Sequence, residues 1–229
     1  MTAIAAPRPD EPLALLRLVL RFNLHPQASL HPSWLPPDWP AQSRARLARL
    51  GPEAQAVLRD VLLRLGVLPA TSPDYAFDSP VKRLLLLDAA ALRRAAFYAS
   101  LCVHGPLMRP RRNALAAAMR RQARRLDADA VDFVLERAPL ASELQMSAQA
   151  LKDHPDGCGR VIADRGYRLL AALVADEGDG AAARLSRMLP RRAASLPVPA
   201  LAPRQKLQLR ELVLACIVPE RLPRWDWLF

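Results

Sequence analysis

The stretch LLLLDAAALRRAAFYASLCVHG, residues 84–105, predicts the class of the fold. Asp88 precedes a run of alanine and leucine and is a good N-cap for a helix that reaches about Val103. His104-Gly105 and the following Pro106 end that helix, because proline lacks a backbone N–H and glycine suits a helix end. The sequence therefore predicts a helix near the middle of the chain.

The composition of the whole chain agrees with this local pattern. The 229 residues include 41 Leu, 41 Ala and 30 Arg, against only 18 Val, Ile and Thr together. The first three favour helices and the last three favour strands. Proline is frequent, with 22 residues, and glycine is scarce, with 8. We expect an all-α protein, a compact single domain of about 9–11 short helices joined by proline-rich loops.

Helical patterns bounded by caps, prolines and glycines recur along the chain. Asp10 is the expected N-cap of a first helix, and Asp127 is the expected N-cap of the helix that ends before Pro139. Gly66 fits the left-handed position that follows the end of the helix at residues 52–65. One face of the first helix carries Leu13, Leu16, Leu20 and Leu24. Further helices are predicted at residues 41–50, 52–65, 88–103, 113–126, 142–152, 160–175, 180–188 and 203–218.

Three segments interrupt the helical pattern. Residues 25–40 hold five prolines with Trp34 and Trp39 among them, and they predict either an ordered loop or an exposed docking arm, since proline supports neither helix nor sheet hydrogen bonding. Residues 189–202 contain three prolines and predict a long loop. The aromatic tail, residues 219–229, can fold back on the core or dock into a partner.

Positive charge is concentrated in one part of the chain. The formal net charge is +11, and residues 89–126 carry nine arginines and no acid, whereas residues 127–143 carry five acids and one arginine. The spacing of Arg120, Arg121, Arg124 and Arg125 predicts one basic helix face for an acidic partner or a phosphate backbone. The alternative is a solvated face that the neighbouring acidic helix partly neutralises.

The sequence lacks a recognisable catalytic, cofactor or membrane motif. Gly157-Cys158-Gly159 begins like a dinucleotide fingerprint, but no strand precedes it and the third glycine is missing. The pairs Cys102 with His104 and His154 with Cys158 lack the second pair that a zinc site needs. We expect no enzyme activity, no cofactor, no metal and three reduced thiols. The longest apolar run has seven residues, where a membrane helix needs about 20, and no signal peptide is apparent, so we expect a cytoplasmic protein.

Two stretches resemble a known bacterial family. Arg21-Phe22-Asn23-Leu24-His25-Pro26, followed by Leu30-His31-Pro32-Ser33-Trp34-Leu35-Pro36, resembles the N-terminal signature of the SctK (YscK) family of type III secretion. Residues 92–105, which end in Leu101-Cys102-Val103-His104-Gly105, resemble a helix end at the centre of that family. The aromatic tail and the loop at Gly157 have no counterpart in the resemblance.

The resemblance implies a non-enzymatic adaptor of the injectisome sorting platform. Such proteins link the cytoplasmic domain of the inner-membrane ring protein SctD to the pod protein SctQ, which holds the SctL stalks and the SctN ATPase. The chain would then lie at the cytoplasmic face of the inner membrane without being embedded in it. Binding two partners at once lets modest affinities add through local concentration.

Two groups of residues are the expected partner contacts. The predicted anchors of one docking surface are His31, Trp34 and Leu35, and the predicted electrostatic steering patch is Arg120, Arg121, Arg124 and Arg125. On this hypothesis Trp34→Ala abolishes partner binding without changing the melting temperature. A large loss of stability would instead assign Trp34 to the protein's own core.

Two other functions remain open. A nucleic-acid-binding regulator would fit the pI near 10.8 and would bind less tightly as salt increases. However, the basic helix offers few side chains that read bases, and the acids of residues 127–136 would repel phosphates, so nucleic acid is not the expected partner. A small enzyme that uses the thiol of Cys102 or Cys158 would lose its activity on selective alkylation.

Overall fold

The computed structural model describes residues 11–39, 49–110, 112–144 and 146–229, and within these ranges it contains helices and turns but no strand. The α-helices are α1 (Glu11–Leu24), α2 (Pro52–Arg64), α3 (Ala89–Val103), α4 (Ala114–Arg124), α5 (Ala130–Arg137), α6 (Gln149–Asp153), α7 (Cys158–Val174), α8 (Asp179–Met188), α9 (Arg191–Ala194), α10 (Pro203–Glu211) and α11 (Val218–Arg221). Short 3₁₀ turns cover Pro26–Ser29, Pro32–Trp34, Lys82–Leu86, Gly105–Met108, Ala138–Ala141, Ala175–Glu177 and Asp226–Leu228. The expected all-α class is confirmed.

Helices α3 and α7 pack against each other in the core and share the most extensive helix–helix contact among the described residues. Every residue of α3 from Ala95 to Cys102 is buried, because α5, α7 and the π-helical turn Leu212–Ile217 all pack against it. A helix covered on several sides is apolar around most of its circumference. A second, smaller cluster, Leu58, Leu62 and Leu68, lies beneath the Pro/Trp segment 25–39.

Several helix ends lie where the local signals predict them. The Asp88 carboxylate accepts a hydrogen bond from the backbone N–H of Ala91 at 2.7 Å, which is N-cap geometry for α3. Asn113 caps α4 in the same way, through the N–H of Ala116 at 3.0 Å. Gly66 adopts a φ of 66° after α2, the left-handed conformation that ends many helices.

The prediction that Asp127 caps the next helix is wrong. Helix α5 begins at Ala130, after Asp129, and neither acid makes a side-chain cap there. The Asp127 carboxylate instead accepts hydrogen bonds from the guanidinium of Arg94 and the hydroxyl of Tyr98 on α3. A charged donor and a phenol on the neighbouring helix bind the carboxylate more strongly than a backbone N–H of its own turn would.

The helix predicted at residues 142–152 is shorter in the structure, where α6 covers only Gln149–Asp153. The backbone N–H of Glu143 donates to the Gln208 side chain at 3.2 Å, and its carbonyl accepts from the Gln205 side chain at 2.8 Å. Because both partners lie on α10, tertiary hydrogen bonds take the place of helical ones here.

Two further boundaries differ from the sequence-based expectations. The segment 189–202 is not loop throughout, since it contains α9. The helix predicted to end at Val218 runs on to Arg221, through the π-helical turn. Asp10 and most of the predicted helix 41–50 lie outside the described residues.

The aromatic tail folds back on the protein. Leu228 is only 1% exposed, and its carbonyl accepts a hydrogen bond from Arg83 at 2.9 Å. Trp225, Trp227 and Phe229 are half-buried and pack against the main core. Of the two expectations for this tail, the structure shows the packed arrangement.

Candidate functional site

Trp34 is held by the protein itself. Its indole N–H donates to the backbone carbonyl of Leu189 at 2.9 Å, and the guanidinium of Arg187 lies 4.0 Å from the centre of its ring system. The Arg191 guanidinium lies 5.5 Å from the same centre. A half-buried tryptophan with a satisfied N–H and two cations over its ring is well anchored. These contacts assign Trp34 a role in folding, and its role as a partner contact stays a prediction.

The neighbours of Trp34 fasten the same segment to the turn between α8 and α9. The backbone N–H of His31 donates to the carbonyl of Arg187 at 2.8 Å, and the Ser33 hydroxyl accepts from the N–H of Arg191 at 2.8 Å. The Nδ1 atom of His31 accepts from the backbone N–H of Ser33. Leu35 packs against the small cluster around Leu58. The resemblance motif at residues 30–36 therefore forms an ordered loop in the described structure.

The rest of the N-terminal resemblance motif also holds the fold together. The amide group of Asn23 donates to the carbonyl of Asp74 at 2.7 Å and accepts from its N–H at 2.7 Å. This reciprocal pair ties α1 to the irregular segment 69–78. Sequence analysis did not single out Asn23, although a buried amide that matches a peptide group is a common way to fix a loop.

The central resemblance motif contains a buried polar pair. His104 is 3% exposed and Arg165 is 8% exposed, and the guanidinium lies 2.8 Å from Nε2 of the imidazole. Because arginine only donates, Nε2 is the acceptor and the proton of the neutral imidazole lies on Nδ1. Burial, together with the charge of Arg165, lowers the pKa of His104 to about 4. Gly105, the next residue of the motif, lies close to Ala138. A Cβ at residue 105 would be only 2.5 Å from the Cβ of Ala138, so the close contact depends on glycine.

The four arginines of the predicted steering patch do not act as one exposed face. Arg121, Arg124 and Arg125 are exposed, but Arg120 is half-buried and donates to the carbonyls of Met108 and Pro110. Arg120 therefore holds the turn before α4 in place. The other three remain available for electrostatic steering, which stays a prediction.

The acidic segment that follows α4 makes no direct ion pair with Arg121, Arg124 or Arg125 in the described part of the chain. Asp127 pairs with Arg94, and Asp129 pairs with Arg221 at 2.8 Å. Burial alone would raise the pKa of Asp127, but hydrogen bonds from Arg94 and Tyr98 bring its pKa below the ordinary value. Between described residues, the ion pairs include none of Arg121, Arg124 and Arg125. The acidic helix α5 does pack against α4, so partial neutralisation without direct pairing stays an alternative to the steering patch.

Helix α1 presents an apolar stripe to solvent. Its inner side packs on the core through Val19 and Phe22, which are 6% and 7% exposed. The leucine stripe on the opposite side consists of Leu13, Leu16, Leu20 and Leu24, which are 51%, 51%, 38% and 47% exposed. The expectation that these leucines share a face holds, yet that face is not the one that packs on the core. A row of exposed leucines at helical spacing is typical of a surface that receives another helix.

Two adjacent cavities form a strongly basic depression, which we call the basic groove. One has a volume of about 460 Å³ and the other about 670 Å³, and both are lined by Arg93, Phe97, Gln122 and Arg125. The smaller cavity also reaches Arg160 and Arg192 on α7 and α9. The larger one reaches Arg224 and Trp225 in the tail. Sequence analysis noted the arginines of residues 89–126 but could not foresee that α7 and the tail add to them.

The thiols show no sign of a reactive thiolate. Burial raises the pKa of Cys102, which is fully covered on α3. Burial also raises the pKa values of Cys158 and Cys216. A thiol nucleophile needs a lowered pKa, so the environment of each cysteine opposes nucleophilic chemistry. Within the described ranges, no three residues of the metal-binding types His, Cys, Asp and Glu are grouped closely enough to hold an ion.

No helix in the described part of the chain is both long enough and apolar enough to cross a bilayer. Comparison of this chain with protein-family models, with curated proteins and with solved structures finds no match.

Proposed function

We propose that this chain is a non-enzymatic adaptor of a bacterial type III secretion sorting platform. In this role it links the cytoplasmic domain of SctD to SctQ and, through SctQ, to SctL and SctN. It would work at the cytoplasmic face of the inner membrane as a peripheral protein. The observation that carries the proposal is the pair of resemblance motifs, at residues 21–36 and 92–105.

The structure is compatible with the way such an adaptor would work. Residues of both motifs hold helices and loops in place, as Asn23, Trp34 and His104 show. A rigid body transmits a fixed distance and orientation between two partners. The leucine stripe on α1 is the surface we assign to one of the partners, because its apolar area is exposed in the described part of the chain.

The test is co-expression of the full chain with the SctD cytoplasmic domain and SctQ from the same bacterium. The complex is analysed by size-exclusion chromatography with absorbance recorded at protein and nucleic-acid wavelengths. We expect co-elution with both proteins and no nucleic acid. Elution apart from both proteins would overturn the proposal.

A nucleic-acid-binding regulator is the second candidate function. Arg121, Arg124 and Arg125 favour it, because they are exposed, form no ion pair with another described residue, and as three neighbouring cations suit a phosphate backbone. The same chromatography separates the two candidates: the regulator would elute with bound nucleic acid and without SctD or SctQ.

A further inference from the structure

The basic groove keeps a positive charge that the described part of the protein does not neutralise. Arg192 is paired with Asp164 at 2.7 Å, and Arg94 and Arg221 are paired with Asp127 and Asp129. The remaining lining arginines are all exposed, and no ion pair between described residues involves them; they are Arg93, Arg125, Arg160 and Arg224. The groove therefore combines four unpaired cations from α3, α4, α7 and the tail.

The position of Arg160 is not explained by helix stability. It lies in the first turn of α7, which is 17 residues long and has no acid in that turn. The N-terminus of a helix carries partial positive charge, so a cation there is unfavourable for folding. Arg160 and the helix terminus together add positive potential to the same cavity, in which Asp156 is the lining carboxylate.

The groove is also partly apolar. Phe97 is in the lining of both cavities, although it is a core residue only 7% exposed, and the half-buried Trp225 lines the larger one. Cavities of about 460 and 670 Å³ have room for side chains of a bound segment. A ligand that carries only charge would leave the aromatic surface unused, whereas a peptide with both acidic and apolar side chains would use all of it.

We propose that the basic groove binds an extended acidic peptide segment of a protein partner. Its carboxylates would pair with the exposed arginines, and its apolar side chains would pack mainly on the half-buried Trp225, with Phe97 offering only a small exposed edge. A peptide fits the groove better than nucleic acid does. The carboxylates of Asp88 and Asp156 line the groove and would repel the evenly spaced phosphates of a nucleic-acid strand. A peptide can place uncharged residues at those two positions. The inference goes beyond the proposed adaptor function and does not rest on it.

The experiment titrates the full chain into a fluorescein-labelled peptide of alternating glutamate and leucine and follows fluorescence anisotropy. We expect saturable binding that weakens as salt is added, because the exposed charges are then screened. The double variant Arg93→Glu/Arg125→Glu, which reverses the two arginines shared by both cavities, should weaken binding by about tenfold or more. The matched control Arg204→Glu/Arg210→Glu makes the same change of net charge at exposed residues of α10, outside the groove. The control should bind within about twofold of the unaltered chain.

Circular dichroism and thermal melting show whether each variant keeps its fold. Should Arg93→Glu/Arg125→Glu lose helicity, Arg160→Glu/Arg224→Glu tests the same groove from residues on its outer parts. Equal loss of binding in the groove and control variants would overturn the inference, since attraction would then come from net charge alone. Absence of saturable binding by the unaltered chain would overturn it as well.

A single-stranded oligonucleotide of the same charge serves as competitor. If it binds more tightly than the peptide and the groove variants abolish its binding, the groove is a nucleic-acid site and the inference is wrong. Because neither SctD nor SctQ enters this assay, its failure is distinguishable from failure of the proposed adaptor function.

Discussion

Gly166 on α7 lies directly against the backbone of Ala96 on α3. A Cβ added at residue 166 would be 1.8 Å from the carbonyl oxygen of Ala96 and 2.3 Å from its carbonyl carbon. No side-chain rotation relieves such a contact, because both atoms that would be displaced belong to the backbone. The two central helices can approach this closely only because residue 166 has no side chain.

Gly166→Ala is therefore expected to separate α3 from α7 and to destabilise the protein by about 3 kcal/mol or more. For a chain of this length that corresponds to a drop in melting temperature of roughly 10 °C. The control is Gly180→Ala in α8, where the added Cβ would meet only Thr71 at 3.9 Å. That variant should be neutral or slightly more stable, because alanine favours a helix. Equal melting temperatures for the two variants would contradict the close contact.

Trp34→Ala is expected to lower stability as well as any partner binding. The substitution removes a half-buried ring, the hydrogen bond to Leu189 and the contact with Arg187. We expect a loss of about 2 kcal/mol, below the range for a fully buried tryptophan. Trp34→Phe keeps most of the ring and loses only the hydrogen bond, so about 1 kcal/mol is expected. Chemical denaturation measures both, and an unchanged midpoint for Trp34→Ala would restore the view of Trp34 as a free docking residue.

The stability of the protein should depend on pH through His104. In the folded protein the pKa of His104 is about 4, whereas its ordinary value is 6.5. The unfolded chain therefore binds the proton first as the pH falls. The contribution of neutral His104 to the unfolding free energy is fully present above pH 6.5. It is lost progressively down to pH 4, by about 3 kcal/mol in total. His104→Gln does not titrate and can still accept a hydrogen bond from Arg165. Its unfolding free energy should therefore fall less steeply between pH 6.5 and pH 4, and parallel profiles would show that His104 titrates normally.

The leucine stripe is expected to matter for binding and not for folding. Leu16→Glu/Leu20→Glu places charges on a surface that is already exposed, so the melting temperature should change little. Under the adaptor proposal, this variant should lose co-elution with SctD or with SctQ. Leu207→Glu is the matched control, because Leu207 is 55% exposed on a different helix. Co-elution of Leu16→Glu/Leu20→Glu with both partners would show that the leucine stripe is not a docking surface.

Local chemistry was enough to predict most helices and several of their ends. The caps at Asp88 and Asn113 and the left-handed Gly66 depend on hydrogen bonds and backbone angles within a few residues. Composition alone indicated the all-α class, since strand-forming residues are scarce. The same local reasoning failed at Asp127, where a partner on another helix competes for the carboxylate.

The orientation of α1 could not be predicted from hydrophobic periodicity. The helix is apolar on two sides, with Val19 and Phe22 on one and the leucine stripe on the other. Periodicity singled out only the leucine stripe, but which side packs inward depends on which one fits the core. The packing of α1 against the rest of the chain makes that choice.

The class of the fold, most helix positions and the excess of arginine thus follow from the order of residues, because each is a property of composition or of neighbours in the chain. The partners of those arginines, the buried pair of His104 and Arg165, and the basic groove follow from folding alone. Arg93, Arg125, Arg160 and Arg224 lie far apart in sequence, and only the packing of α3, α4, α7 and the tail brings them to one depression. Contacts between distant residues depend on the shape of the whole core, which no local pattern encodes.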